Sequence, residues 1–205
     1  MRHGPVIAQG DKFVFAQNLR DVAKFLGLPA PNYQPLTPAQ LVRKWVLVLR
    51  TAQRFMRQVP KERMNERMIY NRDRSIQLVG HHIFRLGEAF LETTIDGAEY
   101  HKLLASIPPL DGECTTGGEI ASYGETVIAR LQQWWDGLDD KSCQRKVSTY
   151  YGMQPIHLLF ERSTWHSAQH TRQMAVVLER FGIAPDGPFT AADLAGLPLP
   201  EGLWE

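Results

Sequence analysis

An all-α fold, a four-helix bundle with a small N-terminal β-hairpin plus helix ahead of it, is predicted by three observations. Four segments of about twenty residues place apolar side chains at i, i+3, i+4 and i+7, the period of a helix with one buried face. Capping signatures open two of these segments, and proline or glycine punctuation separates them. Their matched lengths favour a bundle, because helices of equal length can cover one another's apolar stripes from end to end.

Residues 1–30 stand outside this pattern. Gly4-Pro5-Val6-Ile7-Ala8, a Gly10-Asp11 turn and Lys12-Phe13-Val14-Phe15 read as two strands, and Asn18 caps a helix from Leu19 to Leu26 that Gly27 terminates. A hairpin with one helix cannot bury its own apolar set, so the segment is expected to dock on the bundle or on a second copy. A homodimer is therefore a candidate assembly.

The first bundle helix opens at Thr37-Pro38-Ala39-Gln40, a capping box with proline at the first helical position. Its stripe is Leu41, Trp45, Val48, Ala52, Phe55 and Val59, and it stops near Pro60. The second runs from about Asp73 to Thr93 with Ile76, Val79, Ile83, Leu86 and Phe90 inward; Pro108-Pro109 and Asp111-Gly112 mark the connection after it. Thr116-Gly117-Gly118-Glu119 is a second capping box, opening a helix with Ile120, Tyr123, Val127, Leu131, Trp134 and Leu138 inward. Pro155 starts the fourth helix, which Gly182 and Pro185 end. The expected organisation is an N-terminal segment 1–30, a bundle 36–183 and a C-terminal extension 184–205.

Composition narrows the function classes. A length of 205 residues suits one domain with an appendage, and a net charge of +1 creates no global field toward nucleic acid or membrane. No apolar run is long enough to span a bilayer and the start has no signal-peptide layout, so a cytoplasmic location is expected. Cys114 and Cys143 lack metal or redox spacing and are expected to be reduced. Between Arg43 and Arg74 ten lysines and arginines face three acids. That stretch reads either as a solvated helix face, balanced by acids such as Glu88, Glu92, Asp96, Glu99, Asp139 and Asp140, or as a site for an anionic substrate or nucleic acid; the solvated face is preferred, because charges spaced along a helix usually solvate it.

The chemistry-bearing pattern is Trp165-His166-Ser167-Ala168-Gln169-His170-Thr171-Arg172-Gln173. His166 and His170 lie at i and i+4, one above the other on a single helix face, so both imidazoles can reach one ion. The same face carries Ile156, Leu159, Phe160, Ser163, Met174, Val177 and Phe181, so the pair is buried and needs partners. The second helix supplies a third ring: in Ser75 to Leu86, His82 falls on the apolar stripe and His81 toward its edge. Histidines on the apolar faces of two helices point to metal binding over a satisfied core role.

At these residues the chain resembles the DinB-like family of four-helix-bundle metalloproteins. The family's helix-two pattern S-I-x-x-L-x-x-H-I is matched by Ser75 to Ile83 and selects His82; its fourth-helix H-x-x-x-H-x-x-Q is matched by His166, His170 and Gln173. The resemblance extends from about Leu36 to Gly182. It implies a divalent metal held by His82, His166 and His170, and a kinship with thiol-dependent transferases and isomerases that use low-molecular-weight thiols. The first 30 residues look like the closing half of a glutaredoxin or thioredoxin-like domain without its C-x-x-C half.

Three imidazoles leave a coordination position open, the arrangement of a catalytic site. Zinc, nickel, iron or copper all accept such ligands, with zinc or nickel preferred. The expected function is a metal-dependent thiol S-transferase or hydrolase acting on a small molecule, with Arg172 and Gln173 orienting substrate or ligand; the catalytic residues themselves are not legible. The alternatives are a non-catalytic, metal-stabilised stress or scaffold protein and a basic nucleic-acid interaction module.

Overall fold

Four long helices supply most of the helical residues: α2 (Pro38–Gln58), α3 (Ile76–Ile95), α4 (Gly117–Asp136) and α5 (Ile156–Arg180). The computed structural model describes residues 6–16, 19–29, 33–68 and 73–204. They belong to two units, Met1–Pro35 and Leu36–Glu205.

In the first unit β1 (Val6–Gln9) pairs antiparallel with β2 (Lys12–Phe15), Val6 opposite Phe15 and Gln9 opposite Lys12, and α1 (Leu19–Leu26) follows. Gly10 takes φ +60° in the tight turn and Gly27 takes φ +66° at the end of α1, backbone states that glycine enters without a Cβ penalty. Strand, turn, strand and helix thus come in the expected order. The expected cap Asn18 and the leading Gly4-Pro5 lie outside the described residues.

In the second unit α2 and α3 each pack along both α4 and α5. The capping boxes form as their spacing predicts: Gln40 N donates to Thr37 Oγ1 while its side-chain oxygen accepts from Thr37 N, and Glu119 does the same for Thr116. The second long helix begins at Ser75, two residues beyond the expected Asp73, because the Ser75 hydroxyl accepts from Leu78 N whereas Asp73 pairs with Arg67. Every residue of the stripes expected on α2 and α3 is buried.

The interior is aromatic at its centre. Trp45, Phe90, Trp134 and Phe160 meet edge-on or tilted with ring centroids 4.9 to 5.6 Å apart. The Trp45 indole donates to Ser167 Oγ at 3.0 Å, and that hydroxyl donates to the Ile83 carbonyl at 3.1 Å. This buried relay ties α2, α5 and α3 together one residue away from His82 and His166.

Two features depart from the expected layout. A second antiparallel hairpin, β3 (Lys146–Thr149) with β4 (Gly152–Pro155), precedes α5, so Pro155 closes a strand as well as opening a helix. The segment beyond α5 is built into the helical unit. It carries α6 (Ala191–Leu194), and its carbonyls at Ala184, Asp186, Gly187, Ala192 and Asp193 accept from Gln58, Arg54 and Lys44 of α2. Part of the basic face of α2, expected to be solvated, therefore fastens this segment, and Arg50 pairs with Glu125 of α4. Glu88 and Glu92 do not balance that face; they bind the buried Arg85. No described helix is long and apolar enough to cross a membrane, and both cysteines are free thiols.

Candidate metal centre

His82 on α3 and His166 and His170 on α5 come together as expected. One ring nitrogen from each lies within 4.8 Å of the others. The ring centroids of His82 stand 5.3 Å from His166 and 5.2 Å from His170, while His166 and His170, stacked along one face of α5, are 4.9 Å apart. The convergence follows from local geometry: i,i+4 spacing aligns the α5 pair, and the Trp45–Ser167–Ile83 relay sets the height of α3 against it.

His81 faces another way. Its ring stacks on Tyr123 of α4 at 4.8 Å and 11°, since neighbouring helix positions point about 100° apart. It too is buried, because α4 covers the side of α3 that the stripe left open. Burial, with the charge of Arg85, drops its pKa to about 4.

Hydrogen bonds assign the ring nitrogens. The Gln173 amide nitrogen donates to the Leu203 carbonyl at 2.7 Å, so its oxygen is the atom 2.7 Å from His170 Nδ1. That oxygen only accepts, and His170 Nδ1 therefore carries the hydrogen. In the neutral ring this leaves the lone pair on Nε2, the nitrogen that faces His166 Nε2 at 3.2 Å. His82 has a backbone hydrogen bond to Ala105, and its Nδ1 is buried with no partner; Nδ1 of His166 is likewise buried and unpartnered. Buried unpaired nitrogens are costly in a folded core, and coordination of an ion is what this donor set would satisfy.

Electrostatics favour the uncharged form of two of the rings, His82 and His166. Burial, then His170 and Arg74, drop the His82 pKa to about 3. His166 is held well below its ordinary value by burial and by the neighbouring His170, His82, Arg162 and Arg74. Neutral imidazole is the metal-binding form, so His82 and His166 are ready to coordinate without losing a proton.

The surroundings position these rings in turn. The turn at Leu104–Ser106, whose Ala105 contacts His82, is held by Arg85 Nε donating to the Leu104 carbonyl, and Arg85 is itself fixed by Glu88 and Glu92. Glu88 also accepts from the Tyr123 hydroxyl and from Arg130. A cleft of about 430 Å³ opens on the other side, lined by Trp165, His166, Gln169, His170, Gln173 and the segment Pro198 to Pro200. Arg162, one turn before His166, lies over the Tyr151 and Trp165 rings.

Of the two residues expected to orient groups at the site, Gln173 touches His170. Arg172 does not: it binds Gln169 and the Pro200 carbonyl. The contributions of Ala105 and Leu203 were beyond sequence reasoning, because both act through backbone carbonyls and carry no side-chain signature. Fold and site together define a mostly helical protein whose three clustered histidines can hold a metal ion. The chain matches no family model and no curated protein.

Proposed function

We propose that this chain is a DinB-like four-helix-bundle protein that binds a divalent transition metal, zinc or nickel first, through His82, His166 and His170, and acts on a small molecule as a thiol S-transferase or hydrolase. The observation that carries the reading is the convergence of three imidazoles from two helices beside a cleft. A divalent ion on three imidazoles retains an open position and lowers the pKa of a water or thiol there, which makes a nucleophile available near neutral pH. The chain's own contribution is to favour neutral His82 and His166, to orient His170 through Gln173 and to leave a cleft beside the rings. Arg74 and Arg162 add positive charge near the histidines, which suits an anionic substrate such as a thiol bearing carboxylates.

A second reading, a non-catalytic scaffold, is favoured by the ligands' coming from α3 and α5, since an ion there ties two helices together. Nucleic acid fits less well, because Lys44 and Arg54 bind carbonyls of the C-terminal segment and Arg50 binds Glu125.

Equilibrium dialysis of the full chain with zinc tests the centre. One ion per chain is expected, lost in His166→Ala/His170→Ala with helix content retained; full occupancy in that variant removes the proposal. Titrating the cobalt-loaded protein with glutathione and cysteine then separates the readings. A sulfur-to-metal charge-transfer band supports thiol chemistry, and a silent spectrum favours hydrolysis or the scaffold.

A further inference from the structure

The segment that follows α6 runs back over the face of α5 that carries the histidines. Its hydrogen bonds there are made by its backbone carbonyls. Gln169 Nε2 donates to the Gly202 and Leu203 carbonyls at 3.2 and 2.7 Å, Gln173 Nε2 donates to the Leu203 carbonyl at 2.7 Å, and Arg172 Nη1 donates to the Pro200 carbonyl at 3.2 Å. Arg172 also donates to Gln169 Oε1 at 2.9 Å, which fixes the Gln169 amide with its NH₂ toward the tail. Pro198 and Pro200, with φ locked by their rings, stiffen the crossing, and with Leu199 they form the wall of the cleft opposite the histidines.

The Leu203 carbonyl thus receives two amides. One of them, Gln173, turns its oxygen onto His170 Nδ1. Without that carbonyl the Gln173 amide has no fixed orientation, and rotation by 180° would present NH₂ to Nδ1. That would favour the hydrogen on Nε2, the nitrogen that faces His166.

We propose that the tail Pro198–Leu203 is a working part of the metal centre, its Leu203 carbonyl orienting Gln173 so that His170 offers Nε2 to the ion. Gln173 and the tail are positioning groups; neither touches the ion. The inference rests on the metal-centre reading above and adds to it a part of the chain that lies some thirty residues beyond the last ligand. Groups that orient a ligand histidine in this way typically change metal affinity about 10- to 100-fold.

The test is cobalt affinity in the full chain, measured by chelator competition, with the visible cobalt spectrum as a second readout. Gln169→Ala/Arg172→Ala removes two of the side chains that hold the tail while leaving all three ligands and Gln173 in place. It should weaken cobalt binding about tenfold. In a Gln173→Glu background the same pair should have no effect, because a carboxylate accepts from His170 Nδ1 in either rotamer and needs no carbonyl to orient it. Deletion of residues 199–205 should behave as the pair does, and far-UV circular dichroism verifies that each variant retains its helices. Equal affinity with and without the tail contacts overturns the proposal, as does the same loss in both Gln173 backgrounds. A full chain that takes up no cobalt overturns the metal centre and the tail's role together, whereas normal uptake by the full chain and the tail variants alike overturns the tail's role alone.

Discussion

Adjacent rings on α3 take different work because each residue advances the helix by about 100°. His82 looks toward α5 and the other two histidines, and His81 lies flat on Tyr123 of α4. Zinc stoichiometry should therefore fall to near zero in His82→Ala and stay at one ion per chain in His81→Ala, which should instead lower the thermal midpoint through lost packing on Tyr123. The opposite pattern, measured by elemental analysis of the two variants, would place the site on the α4 side of the helix. The same burial sets a pH dependence. The unfolded chain binds protons at its histidines near the ordinary value of 6.5, whereas folded His81 and His82 wait until about 4 and 3. As pH falls below 6.5 the unfolded state gains protons that the folded state refuses, so these rings contribute full stability above that pH and lose it progressively down to about 3. Urea midpoints of chelator-treated protein should be level from pH 8 to 7 and decline from 6.5 toward 4. A flat profile across that lower range would mean that the rings protonate in place.

At the level of elements, the helices approach closely where glycine leaves room. A Cβ on Gly117, in the first turn of α4, would overlap the Met56 carbonyl at the end of α2, and one on Gly124 would run into the Phe84 ring of α3. A ring can swing, but a helix-end carbonyl cannot move without the backbone that carries it. Gly117→Ala should therefore destabilise the protein by about 1–3 kcal/mol, the usual cost of overpacking, against the small gain alanine normally brings to a helix. Chemical denaturation of the variant gives the answer, and an unchanged or raised stability would mean that the start of α4 adjusts freely. The short β3–β4 hairpin shows the limit of periodicity as a guide. Four residues per strand give little alternation, and Ser148, Thr149 and Gly152 read equally as a loop; the Tyr100 N–H bonded to the Ser148 carbonyl helps hold this stretch in place.

Across the whole molecule, the two units differ in what they can do alone. All the buried residues of the continuous core lie between Leu41 and Leu197, and so do the three clustered histidines. A chain beginning at Leu36 should fold with the helix content expected of its elements and bind zinc with the affinity of the full chain, as dialysis can measure. Weakened zinc binding would mean that the first unit supports the site. That unit exposes Val6, Phe13, Leu26 and Leu28, more large apolar surface than a hairpin and one helix can bury among themselves. Sedimentation of full and shortened chains tests the homodimer: a dimer that becomes monomeric on losing residues 1–30 assigns this surface to a second copy, and identical association states withdraw that assembly.

Features governed by local rules were legible in the order of residues alone. The capping boxes at Thr37 and Thr116, the apolar stripes of α2 and α3, the i,i+4 alignment of His166 with His170 and the choice of His82 over His81 all follow from interactions within four residues on one helix, where spacing is geometry. Tertiary structure decided what depends on distant chain. It covered His81 with Tyr123, spent Lys44 and Arg54 on the carbonyls of residues 186–193, and brought the Ala105 and Leu203 backbones to His82 and Gln173. A backbone carbonyl is the same at every position of a sequence, so only the fold can say which one stands beside a histidine.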